Sequence, residues 1–179
     1  YKANQKRKLI QKNLTYKDFL KSLKIKVLIE KNKVQLFDRV YQLIQKVNQF
    51  NLTSKRYKES HIKEFFKNDK YDIFTLSYSD IFNHEGITGL AIMKREDIFK
   101  VKIDTFLLSC RILGREVESI FLKKILNENK KKDEIYGKII FTKKNLVCRD
   151  FFEKLNFKVL KKDKKMATYK KENLPHASR

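Results

Sequence analysis

The chain has 179 residues, of which 41% are hydrophobic and 36% are charged. This length suits one domain and buries enough apolar surface to fold without disulfides or a metal. The 8 tyrosines and 14 phenylalanines exclude a disordered chain, and the 4 glycines and 1 proline exclude collagen-like and linker sequences. No apolar run reaches the roughly 18 residues of a membrane span.

The net charge of +22 comes from 43 basic and 21 acidic residues. Such a charge is typical of proteins that bind nucleic acid or acidic membranes, and it also arises from codon bias in an AT-rich genome. Only 8 of the basic residues are arginine, the residue preferred for bidentate phosphate recognition. We therefore expect an acidic partner protein rather than nucleic acid, because long-range attraction speeds such association without arginine.

The cysteines and histidines follow no metal-binding pattern. Cys110 and Cys148 form no CxxC motif, and the three histidines are scattered along the chain. We therefore expect no metal site. Two separated cysteines in such a chain indicate reduced thiols and a cytoplasmic location.

Hydrophobic periodicity predicts alternating helices and strands. The predicted helices cover residues 1–12, 15–23, 35–48, 58–67, 114–130 and 146–155. The predicted strands cover residues 25–29, 72–79, 86–94, 98–108, 135–141, 157–160 and 166–169. A polar loop is predicted over 48–54 and a disordered tail over 172–179. Strands interrupted by helices in this order predict a mixed α/β sheet.

The segment from Leu107 to Val117 is the clearest candidate site. It is predicted to run from a strand through a loop to the start of a helix, where unpaired backbone N–H groups favour an anion. Gly114 lets the chain approach a phosphate closely, and Arg111 and Arg115 add positive charge. The alternative is an ordinary strand-to-helix turn.

Two other polar segments carry candidate residues. Asn145 precedes a predicted helix and is placed to cap it. The loop NQFNLT carries three amides and one hydroxyl around a phenylalanine, on Asn48, Gln49, Asn51 and Thr53. These four side chains are candidates for a polar substrate pocket, and an ordinary turn is the alternative.

The strand order and the R-x-x-G-x element from Arg111 to Arg115 resemble the GNAT acyltransferase fold. The family pattern is Q/R-x-x-G-x-G/A, and this chain has Glu116 where the small residue stands. Asn145 and the run FFEKLNF are similar to a later GNAT motif, N…FYEKLGF, with Asn156 in place of its glycine.

This resemblance implies both a fold and a cofactor. The fold is α/β (α+β) and GNAT-like, with a mixed central sheet of about seven strands flanked by helices and splayed between the strands that end at Leu108 and Phe141. The cofactor is coenzyme A or the phosphopantetheine of a carrier protein, with its arm paired to the backbone of residues 139–141. The implied cofactor-binding residues are Arg111, Ile112, Leu113, Gly114, Arg115, Glu116 and Asn145.

Residues 48–53, 103–115 and 149–152 together resemble the C-terminal domain of FkbH-like (HAD-IIIC) proteins, and the similarity covers about residues 1–170. Full-length members carry a HAD-type phosphatase-like domain first. The resemblance therefore implies that residues 1–12 connect to such a domain and that residues 13–171 form the GNAT-like domain. Members are associated with loading a glyceryl unit, derived from bisphosphoglycerate, onto an acyl carrier protein. It follows that this carrier protein and the HAD-like domain are the expected partners.

Two functions are compatible with these features. The first is an acyltransferase, with Asp104 as a candidate general base and Cys110 as a candidate nucleophile. A buried, hydrogen-bonded aspartate and an inert core thiol are the alternative interpretations of these two residues. The second is a non-catalytic carrier-protein-binding module that assists a HAD-type domain. Exposure of Cys110 or Asp104 in an open cleft beside Gly114 would favour the first, and burial of both would favour the second.

Overall fold

The computed structural model describes residues 2–12 and 14–173, and it places six α-helices and eight strands within them. The helices are α1 (Lys2–Gln11), α2 (Tyr16–Ser22), α3 (Phe37–Lys46), α4 (Glu59–Lys67), α5 (Val117–Glu128) and α6 (Phe151–Lys154). The strands are β1 (Lys26–Lys31), β2 (Phe50–Asn51), β3 (Tyr71–Asp80), β4 (Asn83–Arg95), β5 (Lys100–Leu108), β6 (Glu134–Ile140), β7 (Lys158–Lys162) and β8 (Met166–Glu172). Short 3-10 turns lie at Val34–Leu36, Cys110–Ile112 and Leu146–Cys148.

Local sequence signals account for the ends and faces of the helices. The hydroxyl oxygen of Thr15 accepts a hydrogen bond from the N–H of Asp18 at 3.2 Å and so starts α2. In α3, Val40, Leu43 and Ile44 are buried because they repeat at helical spacing on one face. None of the helices within the described residues is long and apolar enough to cross a lipid bilayer.

All eight strands belong to one sheet in the order β1-β3-β4-β5-β6-β8-β7, with β2 beside β5. Neighbouring strands are antiparallel except β5 and β6, which are parallel. One face of the sheet packs through Phe106 and its neighbours against α5 and α6, and the other face packs against α3 and α4. The structure therefore has the predicted mixed α/β architecture.

The parallel pair β5 and β6 opens along its length. The two strands pair only between Lys100–Lys102 and Glu134–Tyr136, and they diverge beyond those residues. The gap between them is occupied by β2, which pairs with the far end of β5 at Leu107 and Leu108. The predicted splay is present, but the sheet has eight strands rather than about seven. The extra strand comes from the segment predicted to be a loop.

Two predicted boundaries and one predicted helix cap are wrong. The helix predicted over 146–155 is a 3-10 turn followed by the single turn α6. Asn145 makes no helix-capping hydrogen bond, because Thr142 occupies its side-chain oxygen. The tail predicted from residue 172 begins too early, since β8 extends to Glu172 and the Asn173 N–H donates to the carbonyl of Asp133 at 2.9 Å. The remainder of that predicted tail, 174–179, lies outside the described residues.

The predicted connecting helix is α1, and an ion pair fixes it to the end of β3. The guanidinium of Arg7 donates to both carboxylate oxygens of Asp80, at 2.7 and 2.9 Å. The hydroxyl of Tyr78 and the backbone N–H groups of Phe82 and Asn83 also donate to this carboxylate. The side chain of Asp80 is completely buried, so a single charge organises the junction between α1 and the sheet.

Candidate functional site

The chain leaves β5 through a tight turn before α5 begins. The Ser109 hydroxyl accepts a hydrogen bond from the Arg111 N–H at 3.4 Å, at the start of the 3-10 turn. Gly114 and Glu116 both have left-handed backbone conformations, with φ of +72° and +58°. Glycine adopts this region freely, whereas a residue with a side chain is strained by about 1 kcal/mol or more. Of the two residues that the GNAT pattern has at position 116, glycine would therefore be the less strained choice.

The loop exposes a set of free backbone donors. Among the described residues, none accepts a well-formed hydrogen bond from the backbone N–H of Gly114, Arg115, Glu116 or Val117. The space beside Gly114 is open, with no atom within 4 Å of where a Cβ would lie. The Tyr16 hydroxyl donates to the Gly114 carbonyl at 3.1 Å and holds the loop from α2. Free donors beside open space are what an anion site needs, and anion binding at this loop stays a prediction.

A cavity of about 680 Å³ lies between α1 and this loop, and we call it the α1 cavity. Its positively charged lining residues are Arg7, Lys8, Arg111 and Arg115. The Arg115 side chain is more than nine-tenths buried, and its Nη1 has no hydrogen-bond partner among the described residues. The nearest carboxylate oxygen, on Asp80, lies 3.9 Å from it. An unpartnered buried guanidinium nitrogen is a ready donor for an anion.

Two carboxylates near the start of α5 oppose this positive charge. Glu116 is exposed, while one carboxylate oxygen of Glu118 is buried and has no hydrogen-bond partner within residues 2–12 and 14–173. Burial raises the pKa of Glu118, and the nearby charge of Glu116 raises it further. Protonation of Glu118 would remove one of the two charges that repel an anion at this helix end.

A second cavity, of about 300 Å³, lies between α3 and the turn after β5, and we call it the α3 cavity. Cys110 and Arg111 line both cavities, and Cys110 is exposed. Asn48 and Gln49, predicted from a separate motif, line the α3 cavity as well. The structure therefore brings together residues that the sequence placed in two unrelated segments.

The α3 cavity is also cationic. Arg39 and Lys46 of α3 line it with Arg111, and no acidic residue of the described part of the chain does so. Burial lowers the pKa of the Arg39 guanidinium, and repulsion from Arg111 lowers it further. An anionic or polarised group between these side chains would relieve that repulsion. Sequence analysis missed Arg39 and Lys46, although their spacing of two helical turns could have placed them on one face.

Asn51 and Thr53, the other two predicted pocket residues, are buried in the protein. The Asn51 amide donates to the Val47 carbonyl at 3.2 Å and accepts the Ser54 N–H at 2.9 Å. The Thr53 hydroxyl donates to the Asp104 carbonyl at 3.1 Å. In the structure both side chains therefore hold their own segment in place.

Asp104 lies on β5 inside a closed polar cluster. Lys55 is its ion-pair partner, the Tyr57 hydroxyl donates to its carboxylate at 2.6 Å, and the Thr105 hydroxyl does so at 3.1 Å. Burial raises the pKa of Tyr57, and its hydrogen bond to Asp104 raises it further. The interpretation of Asp104 as a buried, satisfied carboxylate therefore fits its surroundings. A role as general base stays a prediction.

Asn145 is completely buried and uses its whole amide inside the protein. Its oxygen accepts the Thr142 N–H and hydroxyl, and its nitrogen donates to the carbonyls of Asn51 and Ile140 at 2.9 and 2.8 Å. Of the remaining predicted cofactor residues, Ile112 packs in the core and Leu113 packs against it. The Ile112 side chain is completely buried, whereas Leu113 is partly buried and also lines the α1 cavity.

No metal-binding cluster of three or more His, Cys, Asp or Glu side chains occurs among residues 2–12 and 14–173.

The sequence matches no protein-family model and no curated protein. Solved structures do match the fold. The ribosomal-protein-S18-alanine N-acetyltransferase from Escherichia coli superposes with a TM-score of 0.65 at 10% identity, over 83% of this chain and 94% of its own.

Two other solved structures have the same arrangement. An N-acetyltransferase from Staphylococcus aureus Mu50 gives a TM-score of 0.63 at 14% identity, over 82% of this chain and 97% of its own. The yncA protein from Salmonella typhimurium, determined with its cofactor acetyl-CoA, gives 0.62 at 11% identity, over 86% of this chain and 98% of its own. This chain has the GNAT fold. At these identities the likeness concerns the fold alone, so the chemistry must be argued from the GNAT-fold chain's own residues.

Proposed function

We propose that this GNAT-fold chain transfers acyl groups that are carried as thioesters, with the glyceryl unit and an acyl carrier protein as its substrate and acceptor. The observation that carries the proposal is the position of Cys110. Its thiol is exposed and lines both cationic cavities, next to Gly114 and the free N–H groups of the loop. An exposed Cys110 supports an acyltransferase over a module in which both candidate residues are buried.

The residues present fit the phosphate end of coenzyme A or phosphopantetheine. Open space at Gly114, free N–H groups and the unpartnered nitrogen of Arg115 would hold a phosphate. They do not fit an arm paired to residues 139–141. The Ile140 N–H already donates to the Leu52 carbonyl and the Phe141 N–H to the Lys165 carbonyl, both at 2.8 Å. No step of the proposal depends on pairing at that edge.

Phosphopantetheine or coenzyme A would supply the acyl group as a thioester. Cys110 then acts as the nucleophile: its sulfur bonds to the acyl carbon, the bond from that carbon to the donor sulfur breaks, and the donor thiol takes the proton that Cys110 loses. Arg39 and Arg111 would stabilise the negative charge on the carbonyl oxygen. A second thiol exchange with the carrier protein releases the acyl group and restores the Cys110 thiol.

Intact-mass measurement after incubation with an acylated donor tests this step. We expect the protein to gain the mass of one acyl group and Cys110→Ser to gain none. The matched control is Cys148→Ser, which should acylate like the unmodified protein. Cys148 is buried beside the Gln49 carbonyl, and burial raises its pKa to about 12. An adduct that persists in Cys110→Ser would refute Cys110 as the nucleophile.

A second function is favoured by the surroundings of Asp104. Its engagement by Lys55, Tyr57 and Thr105 leaves no free general base on β5, as a non-catalytic carrier-protein-binding module would require. In that case the chain would assist a HAD-type domain, to which α1 would connect it. Carrier-protein binding without any acyl transfer, unchanged in Cys110→Ser, would establish this second function.

Gly114→Val and Arg111→Glu should both reduce the affinity for coenzyme A or pantetheine phosphate at least tenfold. The valine would fill the space that the anion needs, and the glutamate would replace an attractive charge with a repulsive one. Melting temperatures should stay near that of the unmodified protein, since Gly114 has open space and only its positive φ adds about 1 kcal/mol of strain. Calorimetric titration beside thermal melts measures both effects. Unchanged affinity in both folded variants would make this segment an ordinary turn.

The dissociation constant for the carrier protein should rise steeply with salt. A chain with a net charge of +22 attracts an acidic partner over a distance that salt shortens, to roughly 10 Å at 0.1 M. Titrations at 50 and 300 mM NaCl should therefore differ by tenfold or more. The same dissociation constant at both salt concentrations would mean that the charge plays no part in docking.

A further inference from the structure

We infer that residues 50–53, here called the inserted segment, are a built-in strand that occupies the gap between β5 and β6. A ligand arm therefore cannot add to the sheet there. Under the proposed function, on which this inference rests, an arm held by its phosphate in the α1 cavity passes outside the sheet to reach Cys110. The chain would then recognise the phosphate end of its ligand and make little use of the arm.

The inserted segment is bonded to the strands on both sides of the gap. Toward β5, Phe50 and Asn51 form an antiparallel pair with Leu108 and Leu107. The pairing continues where the Leu52 N–H donates to the Phe106 carbonyl at 3.1 Å. Toward β6, the Leu52 carbonyl accepts the Ile140 N–H at 2.8 Å. These are the backbone groups to which an extended ligand would have to pair.

Burial fixes the inserted segment as well. Asn51 and Leu52 are 0% and 1% exposed, so a ligand would have to displace core residues to enter. The Phe50 ring lies edge-on to the Phe151 ring, with centroids 5.2 Å apart. Asn145 ties the segment to β6, because its amide nitrogen donates to the carbonyls of both Asn51 and Ile140. A segment held this firmly behaves as part of the sheet and not as a movable loop.

An alternative path would run over the surface. Cys110 and Arg111 line both the α1 cavity and the α3 cavity, so an arm that passes from Gly114 to Gln49 over this turn would not have to cross the sheet. Gln49 directly precedes the inserted segment, whose position therefore also fixes one wall of the α3 cavity. The inserted segment thus blocks the gap between β5 and β6, and it helps to shape the surface path past Cys110.

The test compares coenzyme A with adenosine 3′-phosphate 5′-diphosphate, which has the same phosphates but no pantetheine arm. We expect the two dissociation constants to agree within threefold. Hydrogen exchange followed by NMR should show the Leu52 and Ile140 amides protected in the free protein and unchanged at saturating coenzyme A. Affinity for coenzyme A at least tenfold higher, together with faster exchange of these two amides, would overturn the inference because the arm would then displace the segment.

A variant of Asn145 tests how firmly the inserted segment is held, independently of any ligand. Asn145→Ala should speed exchange of the Leu52 and Ile140 amides at least tenfold, whereas Asn127→Ala, at an exposed position on α5, should leave it unchanged. If neither phosphate compound binds, the phosphate site of the proposed function fails, and exchange in the unmodified protein still decides the inference. Protected amides support it, and exchange as fast as in an exposed loop overturns it. Should Asn145→Ala not fold, that same measurement on the unmodified protein is decisive.

Discussion

Gly137→Ala is expected to lower the free energy of unfolding by about 3 kcal/mol, the upper end of the usual cost of overpacking a core. A Cβ on this β6 residue would lie 2.4 to 2.8 Å from three ring atoms of Phe152. That ring is fully buried and packs against the rings of Phe157 and Tyr169, with centroids 4.8 and 5.1 Å away. It has no free space to move into, so the strand itself would have to shift.

Gly86→Ala is the matched control. Its backbone has a positive φ, +66°, which Gly137 does not have, and no atom lies within 4 Å of the added Cβ. The control should therefore cost only about 1 kcal/mol of backbone strain. Urea unfolding of both variants measures the difference. Equal losses of stability would show that the Phe152 ring yields and that the close contact at Gly137 is unimportant.

Asp80→Asn is expected to cost about 3–5 kcal/mol, as removal of one member of a buried ion pair does. The carboxylate is fully buried and accepts hydrogen bonds from Arg7, Tyr78 and two backbone N–H groups. Neutralising it would remove the negative charge that lies 2.7 Å from Arg7 and 3.9 Å from Arg115, and Arg7 would keep only the more distant Glu85, at 3.8 Å. We expect α1 to detach from the end of β3, which hydrogen exchange would detect.

The same carboxylate makes stability depend on pH. Burial alone would raise the pKa of Asp80, but the hydrogen bonds from Arg7, the Phe82 N–H and Tyr78 outweigh it and hold the pKa below its ordinary value of 3.8. A depressed pKa stabilises the fold above pH 3.8, and this stabilisation is lost as the pH falls through the folded-state pKa.

Urea unfolding at several pH values therefore checks both expectations for Asp80. The difference in the free energy of unfolding between the unmodified protein and Asp80→Asn should be largest at neutral pH and should become smaller below pH 3.8. Asp150→Asn removes an exposed carboxylate paired with Lys154 at 2.9 Å and serves as the control. It should change the free energy of unfolding by no more than about 0.5 kcal/mol at any pH. A difference in the free energy of unfolding that stays constant with pH would mean that the charge of Asp80 does not contribute to stability.

Most of the fold could be predicted because periodic apolar residues define the long elements. The helix α3 shows this at Val40, Leu43 and Ile44, and β5 shows it at Val101 and Ile103, whereas Ile98 and Phe99 of the predicted strand precede β5 and are exposed. The strand β2 could not be predicted in the same way. It spans only Phe50–Asn51 within an amide-rich segment, and it forms because distant strands supply its hydrogen-bond partners. A local pattern carries no information on such pairing.

The candidate site was predictable only in pieces. The motif around Gly114 and the amide loop with Asn48 and Gln49 both stood out from the sequence, yet nothing local indicates that they meet at Cys110. Arg7 was not predicted as a buried residue, because the polar sequence of α1 does not indicate which side chain will be buried. Arg7 is buried because it pairs with Asp80. Asp80 lies far along the chain and comes close to α1 only when the sheet has folded.

The inserted segment has a consequence for how the protein is made. Its hydrogen-bond partners on β5 and β6 are synthesised long after residues 50–53, and a chain-closing step over such a separation is entropically costly. Before β6 has been synthesised, Phe50 and Leu52 lack part of the protein that buries them. A nascent chain would therefore expose these two side chains. We expect the wall of the α3 cavity at Gln49 to form in the last stage of folding, and a chain that ends before β6 to lack a finished site. Contacts this distant in sequence also predict slow folding for a domain of this size.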